Sequence, residues 1–486
     1  MLNSTPLFPG FHLQTLRRKP RSESQILADK FEKLKQKSFS QLSEHLGKFI
    51  PKKHLEPTSS GNQSRQRFYS KKNTFWAFFS QILDADGGCK EIVRKLQAVA
   101  AMKDMKLPSS STSAYCQARS KLDIHSLSSV LKHTSEHLQH VPEVNAFNGR
   151  RVIVVDGTGV SMPDTKENQQ VWPQSKLQKT GCGFPQASIC ACFCLQTGAL
   201  LSYEVGNKKV HELPLLRKQE KTFNKGDIFL GDKGFCSFYD INRFKNIGVD
   251  SVITLARRQP ATESSAVKAL GKDDLLTHWK RPVKSSYPHS NWSDLPEYFL
   301  LRQIKVTVNN PGFRNSSFYI ITTLLDAKKY PARKIADLYF QRWNVELYFR
   351  DIKTSMGMDI LRCKTPDMIK KEILMYFIVY NSLRCLMIDA AKTKSVDYNK
   401  VSFKASLQAL RQWEPHLNQS TIKSKDRTRL IDLLYESIAN NLIITRPGRS
   451  EPRAVKRRPK PFQLLTAPRH EMKVISQRRK HRDKQA

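Results

Sequence analysis

Two short apolar runs that each end on an aspartate constrain this chain most. Residues 151–160 read RVIVVDGTGV and residues 225–236 read KGDIFLGDKGFC. Each run is short, continuous and bounded by glycine, so each reads as a buried strand that ends in a turn. Asp156 and Asp232 then stand at strand ends. Further strands are expected over residues 188–195 and 200–205, joined by a tight turn at 196–199. Residues 250–255 and 318–325 read as buried strands, and residues 298–308 alternate like a half-exposed one. Strands alternating with helical stretches specify an α/β core.

The second constraint is residues 339–353, YFQRWNVELYFRDIK. At about 100° per residue on a helix, Tyr339, Arg342, Glu346 and Lys353 fall within about 60° of one another. Beside them runs an apolar stripe of Leu338, Val345, Phe349 and Ile352, able to seat the helix on a core. A carboxylate flanked by two cations on a seated face suits holding a metal while gripping phosphates. The plainer alternative is a solvated helix with i,i+4 and i,i+7 ion pairs.

Charge decides which kind of partner such a face would meet. Lys+Arg number 82 and Asp+Glu 43, so the formal net charge is 82 − 43 = +39, spread over the chain. That excess is the electrostatic footprint of a nucleic-acid partner. The hydrophobic fraction of 39%, with 25 Phe, still supports a packed globule. The N-terminus lacks the apolar core of a signal peptide, and no run approaches the roughly 20 apolar residues of a membrane span. A soluble intracellular protein is expected, with no membrane partner. The nine cysteines form no C-x-x-C pair. Cys190, Cys192 and Cys194 alternate along one expected strand and so should face one side. Buried thiols account for them better than zinc, for which only Cys182 and His211 lie loosely nearby.

The flanks are helical or basic. Apolar residues recur at helical spacing over residues 24–49, and again over 74–102 with a break at DADGG. A Ser/Thr linker at 109–113 precedes two more helical stretches, 114–122 and 127–138. This N-terminal unit suits DNA-end binding, dimerisation or packing. Residues 257–310, containing Trp279 and Trp292, interrupt the core as an insertion with β character. Residues 368–393 form a long apolar helix packing the core from behind, and helices continue from 402 to about 441. The tail from 446 to 486 holds 14 Lys/Arg against 3 acids and several prolines, a composition that orders only on DNA, if at all.

Two strand ends and one helix can bring Asp156, Asp232 and Glu346 to one edge of the sheet. Three carboxylates gathered there repel and raise one another's pKa unless divalent cations neutralise them. Two Mg²⁺ ions about 3.5–4 Å apart would suit phosphodiester cleavage or strand transfer.

These motifs carry a resemblance. Tyr339, Arg342, Glu346 and Lys353, at their observed spacing, match the Tyr-Arg-Glu-Lys signature of DDE transposases of bacterial insertion sequences, the IS-four family. DGTG with Asp156 resembles that family's first acidic motif and GDIFLGDKGF with Asp232 its second. TFWAFFSQIL, AYCQARSKL and the RAVKRRPKPFQLL tail resemble its terminal regions, so the resemblance spans nearly the whole chain. It implies an RNase H-like catalytic core over residues 146–257 and 313–400, split by a β-rich insertion at 258–312. A helical, DNA-binding N-terminal region (1–145), a helical C-terminal region (401–445) and a basic tail (446–486) would flank it. It implies Asp156, Asp232 and Glu346 as metal ligands for Mg²⁺, with Mn²⁺ as substitute. Tyr339, Arg342 and Lys353 would contact phosphates. The implied partners are double-stranded DNA, as terminal inverted repeats and target, and a second copy of the chain in a dimeric DNA complex.

Weaker expectations attach to other residues. Phe318, Tyr319 or Trp292 could stack on a flipped base, although Phe318 suits core packing better. Trp343 is expected to cover the core. Glu212 could join the acidic cluster, but starting a helix is its favoured role. Asp164, Asp227 and Asp351 suit loops or solvated faces, and Lys233 is either a DNA contact or an ordinary surface lysine. Two alternatives remain beside transposition: a metal-dependent nuclease of the same fold, and a DNA-binding regulator without catalysis.

Overall fold

The computed structural model describes residues 4–5, 8–12, 46–57, 68–102, 105–140, 147–256, 260–283, 295–308, 316–417, 424–443 and 465–472. Most of the helical stretch expected at 24–49, Trp292 and most of the basic tail lie outside the described residues.

One nine-stranded mixed sheet organises the chain. Its strands are β1 (Val152–Ser161), β2 (Gln186–Cys194), β3 (Leu200–Asn207), β4 (Ile228–Gly231), β5 (Asp250–Thr254), β6 (Lys268–Gly271), β7 (Asp274–Lys280), β8 (Tyr298–Val308) and β9 (Ser316–Thr322), in the spatial order β3-β2-β1-β4-β5-β9-β8-β7-β6. The β1–β4 and β4–β5 pairs are parallel and the others antiparallel. Residues 257–310 therefore do not stand apart: their strands β6–β8 continue the same sheet, attached through β9 to β5.

Both faces of the central strands are covered, which is why they are apolar without alternation. Val152, Val154 and Leu230 enter the larger core with the long helix α10. Ile153, Val155 and Phe229 enter a second core on the opposite face, with helices α6 and α7. The helices are α1 (Lys71–Leu83), α2 (Cys89–Ala101), α3 (Ser113–Ser120), α4 (Ile124–Gln139), α5 (Lys166–Val171), α6 (Glu212–Arg217), α7 (Phe238–Asn246), α8 (Ala332–Phe340), α9 (Asn344–Arg350), α10 (Pro366–Thr393), α11 (Phe403–Leu417) and α12 (Ser424–Asn440).

Helix α10 is long and apolar enough to cross a membrane by length and composition, contrary to the expectation that no stretch would be, but it is buried inside the protein. It packs against α1, α4, α11 and α12, so N- and C-terminal helices share one core. Helix α1 is buried around almost its whole circumference, which suits packing rather than reading DNA. Lys95 of α2 joins this assembly through Glu414 of α11, Nζ to Oε2 2.5 Å.

The cysteine expectation needs one correction. Cys190 and Cys192 share the α6–α7 side, whereas Cys194 packs in the α10 core. The β2–β3 register shifts between Cys192 and Phe193, and such irregularities break strict alternation. All three thiols are buried, and burial pushes Cys192 up to about 12.

A charged contact fixes the added strands to the approach of the α8–α9 segment. Arg302 of β8 is fully buried and grips Asp274 of β7 with two bonds, Nε–Oδ1 2.7 Å and Nη2–Oδ2 2.6 Å. Its Nη1 donates to the carbonyl of Tyr330, just before α8, at 2.6 Å. Replacing Asp274 with Ala strands this guanidinium without its counter-charge. Unfolding in urea should show a loss of about 3–5 kcal/mol; a loss below 1 kcal/mol would mean the pair does not hold this junction.

Candidate active site

Register sets the first two carboxylates side by side. The parallel β1–β4 ladder pairs Val152 with Ile228 and Val154 with Leu230. Two residues further along each strand are Asp156 and Asp232, on neighbouring chains about 4.8 Å apart in a regular sheet and pointing to the same face. That face is the one taken by Val154 and Leu230, toward the α10 core. Asp232 stands where β4 ends and caps a short 3₁₀ turn, its Oδ1 accepting from Gly234 N at 2.8 Å. Asp156 differs from expectation. It does not end its strand, because DGTG continues β1 to Ser161 in antiparallel pairing with β2. A glycine inside a strand often marks a close approach by another group, and Gly157 does so here.

The third carboxylate arrives on a helix that is not one helix. The segment from Ala332 runs as α8 to Phe340, tightens to a 3₁₀ turn at Gln341–Trp343, resumes as α9, and widens to a π turn at Asp351–Ser355. The simple 100° projection is therefore approximate over its length, although its apolar stripe holds: Leu338, Val345, Phe349 and Ile352 are all buried. Hydroxyl contacts seat α9 and α10 against the β2–β3 turn. Tyr348 donates to Leu195 O at 2.9 Å and Tyr380 to Gly198 O at 2.8 Å. Gly198 has φ +67°, and a Cβ there would meet Arg384 and Tyr348 at about 3 Å, so that turn requires glycine.

Arg342 joins the two parts. It is 8% exposed, lies 3.9 Å from Asp156 Oδ2 and 3.4 Å from Glu346 Oε1, and its buried Nε has no hydrogen-bond partner. Tyr339 is also buried, its hydroxyl accepting from Thr254 at the end of β5 and its ring resting on Phe318. Glu346 is exposed, whereas Lys353 on the π turn is half-buried. Burial holds Asp156 up at about 6; Asp232 and Glu346 push the same way, while the Gly157 amide and Arg342 oppose them.

A fourth acid stands at the same edge. Glu212 is the first residue of α6, the helix-start role expected for it, and it also sits against the acidic cluster. Burial, then the charges of Asp156 and Asp232, push it up to about 7. Sequence spacing gave no reason to prefer this role; the glycine after Asp156 was the available signal.

The remaining expectations divide. Trp343 does not cover the core: it is 56% exposed, with the Arg342 guanidinium 4.9 Å from its ring centre. The core-facing stripe of α9 is already filled by Val345 and Phe349, which leaves Trp343 outside. Phe318 packs against the core, as favoured. Asp227 and Asp351 are buried rather than solvated. Asp227 is gripped by Arg151 at 2.5 Å, and Asp351 lies 3.8 Å from Arg384. Asp164 accepts from Gln169 beside α5, and Lys233 is exposed.

Among the described residues no group of three or more His, Cys, Asp or Glu forms a ready-made metal cage. Arg342, set between Asp156 and Glu346, spaces those two acids. The donor set nevertheless fits a hard cation that keeps waters and takes few carboxylates.

Residues 147–382 match the family model described as the transposase DDE domain. The transposase InsG for insertion sequence element IS4 of Escherichia coli (strain K12) is 24% identical over 84% of this chain and 90% of that protein. The probable transposase for insertion sequence element IS5377 of Geobacillus stearothermophilus is 33% identical over 27% of this chain and 36% of that protein. Among solved structures, the piggyBac transposase synaptic complex with hairpin DNA aligns over 84% of each chain at 12% identity, with a TM-score of 0.40. Residues 147–382 therefore carry a transposase DDE domain, within a chain that resembles an insertion-sequence transposase along most of its length.

Proposed function

We propose that the protein cuts and rejoins DNA at the ends of an insertion sequence, with Asp156, Asp232 and Glu346 as its catalytic carboxylates on an RNase H-like core. One observation carries this reading: Arg342 sits between Asp156 and Glu346, while the β1–β4 register sets Asp232 beside Asp156. The strand order β3-β2-β1-β4-β5, with β4 and β5 parallel to β1, supports an RNase H-like description of the core.

Asp156, Asp232 and Glu346 would hold divalent cations, Mg²⁺ or Mn²⁺. Such ions, when bound, activate an attacking oxygen and stabilise the leaving one in phosphodiester chemistry. The protein's own groups do the remaining work. Arg342 offsets the charge of two carboxylates and keeps them apart, and its unpaired Nε can donate to a phosphate oxygen. Tyr339 braces Arg342 from the β5 side. Lys353, one helical segment on, adds a cation for the DNA backbone. Double-stranded DNA is the partner that fits the net charge of +39. A paired complex of two copies on two DNA ends completes the reading, as does action on DNA in the bacterial cytoplasm.

Purified protein with a labelled duplex ending in the element's terminal repeat tests this directly. Mg²⁺-dependent nicking and joining should fall on the order of 10³-fold in Asp156→Asn and Glu346→Gln, with repeat binding within a few-fold of wild type. Cutting without joining would favour the nuclease; tight binding without cutting under any divalent metal would favour the regulator. Affinity for the duplex should also fall steeply between 50 and 200 mM salt, as contacts with several phosphates require. A flat salt dependence would count against DNA as the partner.

Metal removal should couple to pH. Asp156 and Glu212 both titrate above their ordinary values of 3.8 and 4.5, so the folded apoprotein holds protons that the unfolded chain has released. Their contribution is therefore largest at low pH and is lost as pH rises from about 4 toward 7. Added Mg²⁺ should raise the melting temperature more at pH 8 than at pH 5. An equal shift at both would disconnect metal binding from these acids.

A further inference from the structure

Gly157 faces the opposite side of the sheet from Asp156, toward α6. A Cβ built on it would lie 1.6 Å from Glu212 Oε1 and 2.3 Å from its carboxyl carbon. The Glu212 carboxylate thus occupies the space of the missing side chain, directly over the residue that follows Asp156. Its oxygens come from the other face of the sheet, from a helix whose neighbouring residues Leu213, Leu215 and Leu216 are locked into the α6–α7 core. Among the described residues Glu212 makes no ion pair or hydrogen bond, although the chain carries 82 Lys and Arg. By contrast, two buried acids elsewhere around this sheet, Asp227 before β4 and Asp240 of α7, are each gripped by an arginine.

We propose that Glu212 is a fourth carboxylate of the cation site, reaching it through the gap that Gly157 leaves in β1. The inference rests on the metal-site reading above and adds to it a ligand from a separate element. The acids gathered at this edge would then be four, Asp156, Asp232, Glu346 and Glu212, and among the described residues the cation within 4 Å of any of them is Arg342, at 3.9 and 3.4 Å from two. Placed over the bare backbone of Gly157 with no cation within ion-pair distance among the described residues, the Glu212 carboxylate needs a counter-charge. A second observation, independent of Glu212, is the buried Nε of Arg342, which has no hydrogen-bond partner among the described residues and can donate to a phosphate oxygen. A cation coordinated by carboxylates and a phosphate oxygen satisfies both needs. Glycine at 157 is then a requirement of coordination: strand geometry accepts alanine there, whereas the Glu212 carboxylate does not.

The test is Mn²⁺ binding by the full chain, read by electron paramagnetic resonance and calorimetry with and without a terminal-repeat duplex. Variants Glu212→Gln, Glu212→Asp, Glu212→Ala, Gly157→Ala and Gly157→Ala/Glu212→Ala are compared with Asp156→Asn as reference, each first checked for an unchanged melting temperature without metal. Glu212→Gln should weaken Mn²⁺ binding roughly tenfold or more. Glu212→Asp and Gly157→Ala, which keep the charge but withdraw or displace the carboxylate, should weaken it similarly. The double variant should be no worse than Glu212→Ala alone, because Gly157→Ala acts through Glu212. If Asp156→Asn loses Mn²⁺ while Glu212→Gln and Gly157→Ala bind within twofold of wild type, the fourth ligand is wrong and the three-acid site stands. If Asp156→Asn also binds normally, the metal site itself is wrong and this inference falls with it.

Discussion

Mutual repulsion of carboxylates is the constraint on which the site depends. The β1–β4 ladder sets Asp156 and Asp232 on adjacent strands facing the same way, and no side-chain rotation takes them far apart. Buried near each other, such groups resist ionisation, as the upward displacement of Asp156 shows. Arg342 answers part of that repulsion from α8–α9, and its Nε remains unpaired even so. In the function proposed above, a divalent cation would offset the remaining charge and a phosphate oxygen would accept from that nitrogen.

Rigidity around the site comes from burial on both sides of the sheet. Helix α10 supplies one face together with α1, α4, α11 and α12, while α6 and α7 supply the other. The β2–β3 turn is tied to α9 and α10 by the Tyr348 and Tyr380 hydroxyls, so the segment carrying Glu346 is referenced to the sheet and not to a loop. At the far side, Arg302 ties β7 and β8 to the start of α8. The interruptions of the helix, a 3₁₀ turn at Arg342 and a π turn at Lys353, fall at the charged residues themselves. Altered winding of this kind re-aims side chains without disturbing the buried stripe beside them.

Exposure on α9 follows from the same packing. With Val345 and Phe349 filling the core side, Trp343, Leu347 and Phe340 are left at the surface next to Glu346 and Arg342. An apolar, partly aromatic strip beside cations presents both a stacking surface and charge at the edge of the acidic site.

Much of this was legible in the chain. Continuous apolar runs identified the central strands, because only strands covered on both faces dispense with alternation, and the acidic ends of those runs pointed to Asp156 and Asp232. Helical spacing put Arg342 and Glu346 together, since i and i+4 are neighbours on any helix. Tertiary structure alone decided the rest. Whether two strands are parallel neighbours, and in what register, depends on pairing between residues some 75 positions apart, and no local pattern encodes it. Glu212 reads locally as a helix start; only its packing over the bare backbone of Gly157 sets it beside the acids. Trp343 and Cys194 depart from the local pattern for a related reason, because which side of an element is buried depends on what already fills the core. The sequence by itself determined the elements and the chemistry they carry; the long-range packing of one sheet face against another determined which of those groups meet.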